Sequence, residues 1–173
     1  MDNLVKRAQR KDADAFTELI QSQMQNMYKT AWVILHNDED AADAISDTIL
    51  ICWEKLGQLR QADFFKTWMT RILINQCNNI LKQRKKVVPV DEFREAAESS
   101  QEYENVEWME TLQSLDEKYR LIIVLYYVNG LSTTEISTIL HMPVSTVRTR
   151  LSRGRNQMAL LYDVDTRKGA LKS

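Results

Sequence analysis

Arg148, Arg150, Arg153 and Arg155 fall within eight positions, inside a stretch from Ile136 to Tyr162 that carries no acidic residue. A guanidinium is a flat fork of donors that matches paired acceptors, either the edge of guanine or the oxygens of a phosphate. Ser145, Thr146, Thr149 and Ser152 stand among these arginines, and their hydroxyls can bond base edges or phosphates. A second polar set, Arg71, Asn75, Asn78, Lys82 and Lys85, is spaced 4, 3, 4 and 3, with Asn79 and Lys86 beside it. That spacing makes one ridge of a helix. Asn reads base edges and Lys neutralises phosphate, so the ridge suits a second nucleic-acid surface. A third set is acidic: Asp40, Asp43 and Asp47 line one ridge of another helix. Acids in a first turn stabilise the helix dipole, but an acidic face between two basic ones also suits a protein partner. Nothing suggests catalysis. The two histidines, His36 and His141, fall at turns, and Cys52 and Cys77 have no metal-ligand or redox spacing. No catalytic residue, cofactor or metal ligand is expected.

The arginines need an element to hold them. Tyr119 to Val128 is a dense apolar run suited to a buried helix, and Asn129-Gly130 follows as a C-cap pair. Ser132-Thr133-Thr134-Glu135 reads as a capping box that starts a new helix with Ile136, Ile139 and Leu140 on one face. His141-Met142-Pro143 breaks it, and Val144, Val147 and Leu151 resume the pattern at i, i+3 and i+7. Two short helices joined by three residues make a helix-turn-helix, whose recognition helix is expected from Val144 to Arg155. With Val144, Val147 and Leu151 inward, Ser145, Arg148, Thr149, Ser152 and Arg153 face out, as groove reading requires.

Earlier in the chain, three apolar patterns predict a small helical bundle. Phe16, Leu19, Ile20, Met24, Met27, Ala31, Ile34 and Leu35 form one stripe, and Ile45, Ile49, Cys52, Trp53 and Leu56 a second. The HNDED turn between them supplies Asn and Asp caps. A third helix begins near Phe65 with Phe65, Trp68, Ile72 and Ile80 expected inward, opposite the Arg71 ridge. Residues 58–65 form a loop ending in aromatics, a type of loop able to accept an unstacked base.

The chain has 173 residues, 44% of them hydrophobic, and only four glycines and two prolines, which predicts an all-α fold. Net charge is −1, but the signs are segregated. KQRKK at 82–86 precedes the interval from Asp91 to Glu110, which holds eight acidic residues against one arginine. The organisation expected is a helical domain at 1–86, an acidic linker at 87–108 and a helix-turn-helix domain at 109–173. No apolar stretch reads as a signal peptide or a membrane span, so a cytoplasmic protein is expected.

The segments DAADAISDTILICWEKL, FFKTWMTRILINQCNNILKQRKK and LQSLDEKYRLIIVLYYVNGLSTTEISTILHMPVSTVRTRLSRGR, in this order, resemble the extracytoplasmic-function group of bacterial sigma factors. The resemblance spans nearly the whole chain. It implies a subunit without catalytic residues that binds core RNA polymerase through the clamp helices of its largest subunit and its flap, and that directs it to promoters. It places Asp43 and Asp47 on the polymerase surface. It places Arg71, Asn75, Asn79 and the basic tail around Lys82 at the minus 10 element, the 58–65 loop near the melted strand, and the helix-turn-helix at the minus 35 element. It also implies an anti-sigma factor, often membrane-bound in this group. Four positions depart from the family pattern: His141 for Gly, Ser137 for Ala, Asn79 for Asp and Ile74 for Arg. Two readers two helical turns apart on DNA must span ~70 Å, and the 22 residues from Val87 to Trp108 reach roughly 73 Å when extended. Two other readings of the same residues are a free-standing helix-turn-helix regulator on an operator and an adaptor unrelated to DNA.

Overall fold

The computed structural model describes residues 1–87 and 109–170. The linker expected at 87–108 therefore lies, from residue 88 on, outside the described residues. All elements among the described residues are helical, as the composition predicts. The chain divides into two compact units, within Met1–Glu98 and Ser99–Ser173.

The first unit has five α-helices: α1 (Asp2–Gln9), α2 (Ala13–Gln21), α3 (Met24–Leu35), α4 (Asp38–Lys55) and α5 (Phe65–Val87). Two short 3₁₀ turns, Leu56–Gln58 and Ala62–Phe64, lead from α4 into α5. The apolar stripe read as one helix is two, α2 and α3, broken at Ser22-Gln23, where the Ser22 hydroxyl donates to the Leu19 carbonyl (2.7 Å). Met24, expected inward, begins α3 and stands 39% exposed, because the break shifts the helical phase. The Asn37 cap forms as expected: its side chain accepts from the Asp40 N–H at 2.9 Å. His36 before it takes the left-handed conformation that ends α3 (φ 49°). Helix α1 was not legible as a separate apolar pattern, yet it buries Val5 and Ala8 and packs on α2 and both 3₁₀ turns.

The core joins Val5, Leu19, Met27, Ala31, Ala44, Cys52, Leu56, Phe65, Leu73 and Cys77, among others. Burial pushes the Cys52 and Cys77 thiols up to about 12, so both stay protonated and unreactive. On α5 the inward row is Phe65, Met69, Leu73 and Cys77, whereas Trp68, Ile72 and Ile80 are half-buried. At about 100° per residue, Trp68 sits about 60° from Arg71 and therefore flanks the polar ridge instead of opposing it.

The second unit carries a helical segment at 109–113 (α6), α7 (Glu117–Ile123), α8 (Thr133–Leu140) and α9 (Val144–Ala170). The apolar run after Tyr119 does not stay α-helical to its end. Val124–Val128 winds as a π-turn, with Asn129 N–H bonded to the Val124 carbonyl (3.1 Å), and Gly130 follows at φ +68°. Leu112, Leu115, Tyr119, Ile122, Ile123, Val124, Leu125, Ile136, Ile139, Val147 and Leu151 are buried. Gly154 lets α9 approach α7: a Cβ there would stand 3.0 Å from Ile123 Cγ1 and 3.2 Å from Tyr119 Cβ.

Candidate nucleic-acid interface

The helix-turn-helix is built by three local devices. Ser132 Oγ accepts from the Glu135 N–H (3.2 Å) while the Glu135 carboxylate accepts from the Ser132 N–H (2.8 Å). This is the expected capping box, and it fixes where α8 starts. The turn at 141–143 ends α8 with His141 left-handed at φ 52°. Ser137 Oγ donates to the Met142 carbonyl at 2.6 Å. The two departures from the family pattern thus meet in one turn: His141 adopts a conformation suited to Gly, and the Ser137 hydroxyl pins the next residue. Val147 N–H then bonds the Pro143 carbonyl (3.1 Å) and starts α9, which runs past the expected Arg155 to Ala170.

On α9, Val147 (0% exposed) and Leu151 (5%) face the core. Ser145, Arg148, Thr149, Ser152 and Arg153 are all exposed, and Thr146 is half-buried at the edge of that face. The five exposed positions span about 140° of the helix, one continuous strip. Thr149 Oγ1 donates to the Ser145 carbonyl (2.9 Å), which leaves its lone pairs outward. Arg150, counted among the four basic residues, turns off this strip into a cleft with Glu117, Lys118, Leu121, Leu140 and Met142.

In the first unit, Arg71, Asn75, Asn78, Asn79, Lys82, Lys85 and Lys86 are all exposed on α5. The basic run is not uniform, however. Arg84 pairs with Asp40 and donates to the Leu35 carbonyl (3.3 Å), so it ties α5 to the α3–α4 corner. Ile74, where the family pattern has Arg, is 5% exposed and buried in the unit's core. Among the loop aromatics, Phe65 is wholly buried, and Phe64 (48% exposed) is the ring presented outward.

The acidic ridge separates in the same way. Asp43 and Asp47 are exposed on α4, but the Asp40 carboxylate is held by Arg84 and its side chain is 24% exposed. Asp40 therefore does not continue the open ridge, because a basic partner on α5 stands within reach of it. Leu50, 62% exposed, sits on the same face as Asp43 and Asp47. The sequence pattern signals it weakly, since a single exposed leucine reads as an ordinary surface residue. Among the described residues, no group of His, Cys, Asp and Glu is placed to hold a metal ion, and no helix is long and apolar enough to cross a membrane.

Residues 19–87 match the family described as sigma-70 region 2, and residues 105–158 match sigma-70 region 4. The ECF RNA polymerase sigma factor SigW of Bacillus subtilis is 27% identical over 172 residues, covering 89% of this chain and 92% of that protein. The ECF RNA polymerase sigma-E factor of Escherichia coli is 29% identical over 172 residues, covering 88% of each. The solved structure of CnrH in complex with the cytosolic domain of CnrY aligns with TM-score 0.66 and 25% identity, covering 95% of this chain and 97% of CnrH. The structure of RpoE with the anti-sigma factor NepR, from Bartonella quintana, shares the fold at TM-score 0.64 and 20% identity, covering 86% of this chain and 98% of RpoE. With helix-turn-helix and basic α5 ridge each falling inside a matched region, the chain belongs to the extracytoplasmic-function group of the sigma-70 family.

Proposed function

We propose that this chain is an alternative sigma factor that binds core RNA polymerase and directs it to promoters with distinct minus 10 and minus 35 elements. The observation that carries this reading is the pairing of two exposed polar strips, Ser145 to Arg153 on α9 and Arg71 to Lys86 on α5, in separate compact units. A lone operator-binding regulator needs one reading head, and α5 is the length and polarity of a second. In this reading Ser145, Thr146, Arg148, Thr149, Ser152 and Arg153 meet the minus 35 element, and Arg71, Asn75, Asn78, Asn79, Lys82 and Lys86 meet the minus 10 element. Asp43 and Asp47, with Leu50 beside them on the α4 face, meet the clamp helices of the largest polymerase subunit, and the second unit meets the flap. The domains divide at 1–86 and 109–173. An anti-sigma factor restrains the protein, as the partner-bound state of the related CnrH supports, and the protein acts in the cytoplasm, held at the membrane where that factor is anchored there.

Core polymerase mixed with the chain and a random promoter library tests the function. Initiation absent with core alone is expected, from start sites sharing two upstream elements at fixed separation. Sequence-specific binding of the free chain to DNA, with no complex on core, would assign it to operator regulation instead.

A further inference from the structure

Helix α1 lies outside both matched family regions, the first of which begins at residue 19. Its C-terminal end nevertheless reaches the segment that presents Phe64. The Gln9 side-chain amide, half-buried, donates to two carbonyls of that segment at once, Leu59 at 2.7 Å and Leu56 at 3.2 Å. Lys11, held left-handed at φ 66°, donates through Nζ to the Trp53 carbonyl (2.7 Å) and places its ammonium 4.6 Å from the Trp53 ring centre. The carbonyls of Trp53, Leu56 and Leu59, at the end of α4 and in the turn that follows, thereby each accept a side-chain hydrogen bond from the end of α1 or the residue just beyond it, and Leu56 also accepts from the Leu59 N–H (3.1 Å). Gly57 in the middle has open space around it, so the segment has little side-chain packing of its own on that side.

We propose that the end of α1 and the turn after it brace the 53–64 segment through Gln9 and Lys11 and so set the position from which Phe64 stacks on a base unstacked from the promoter. Gln9 and Lys11 are positioning residues: neither touches DNA. The proposal rests on the sigma-factor reading for its DNA half and on hydrogen bonding alone for its structural half.

The test uses full-length chain assembled with core polymerase. Gln9→Glu keeps shape but replaces the donor with a carboxylate facing two carbonyls, and Lys11→Met removes the ammonium from an exposed site. Amide exchange at residues 57–61 should rise about tenfold in both, with α5 unchanged. The holoenzyme's affinity for the single-stranded minus 10 oligonucleotide of a promoter selected from the library should fall about tenfold, the loss of two such hydrogen bonds. Affinity for core and for duplex minus 35 DNA should stay within about twofold, since loss of a local hydrogen bond acts locally. Gln9→Lys, which retains donors, should recover most of the loss. Unchanged exchange in Gln9→Glu and Lys11→Met would overturn the brace. Equal loss of core affinity would overturn it too, by exposing a general loss of folding. If Phe64→Ala leaves single-strand affinity unchanged, the DNA half falls while the sigma-factor reading, tested by initiation, stands.

Discussion

Asp40, Asp43 and Asp47 share a helix face in sequence, yet their environments assign them different work. Asp40 is matched by Arg84, and a half-exposed pair of this kind contributes about 0.2–1 kcal/mol to stability. Asp43 and Asp47 have no such internal partner among the described ion pairs and are available to another molecule. Asp47→Arg should therefore abolish measurable binding to core polymerase with thermal unfolding unchanged, whereas Asp40→Asn should lower stability by under about 1 kcal/mol and leave core affinity alone. Competition for core against a second sigma factor, beside a melting curve, separates the two, and equal effects at both positions would erase the distinction. The same reasoning sorts the basic residues. Arg148 stands on the outer strip of α9, so Arg148→Ala should cost ~1–3 kcal/mol at particular base pairs if its fork meets a base edge. Lys82→Ala should weaken binding to all sequences alike and reduce the salt slope by about one. A uniform loss for Arg148→Ala would move that residue to the phosphate backbone.

At the scale of elements, what could be read from sequence was what local chemistry encodes. Ser132 and Glu135 form the capping box their spacing announces, and the turn falls at 141–143 because Pro143 cannot continue a helix. The break at Ser22-Gln23 was hidden because apolar residues continue on both sides of it, and the Ser22 hydroxyl ends α2 without Gly or Pro. Helix α1 was hidden because eight residues bury only Val5 and Ala8, too few for a stripe. The inward face of α5 is legible only in part: Phe65 is buried and Trp68, Ile72 and Ile80 pack half-buried against the core, but the Met69, Leu73 and Cys77 row that fixes the phase does not stand out in the sequence. Gly154 was silent in the sequence, though it decides how close α9 lies to α7. Gly154→Ala gains about 1 kcal/mol of helix propensity, but its Cβ would meet Ile123 at 3.0 and 3.1 Å and Tyr119 at 3.2 Å. Overpacking costs about 1–3 kcal/mol, so the second unit should lose roughly 1 kcal/mol net, read as a lower unfolding midpoint. Stabilisation would mean that the Ile123 side chain yields freely.

For the molecule as a whole, the balance of 23 basic and 24 acidic residues denies the free chain a general attraction to DNA. Each exposed polar strip is short, so under the proposed function promoter choice comes from engaging both at once. The 21 residues from 88 to 108 could reach roughly 69 Å at full extension, against the ~70 Å between readers two helical turns apart. A shorter connection would therefore fall below that distance, and a longer one would not. Deleting eight residues within 88–108 leaves a reach of about 43 Å, and initiation at promoters that need both elements should collapse, while each strip keeps its own affinity. Inserting eight Gly/Ser residues raises the closure cost by only about 0.3 kcal/mol, so initiation should persist within about twofold. Equal tolerance of both changes would show that the helix ends, and not the connecting chain, set the separation of the two elements.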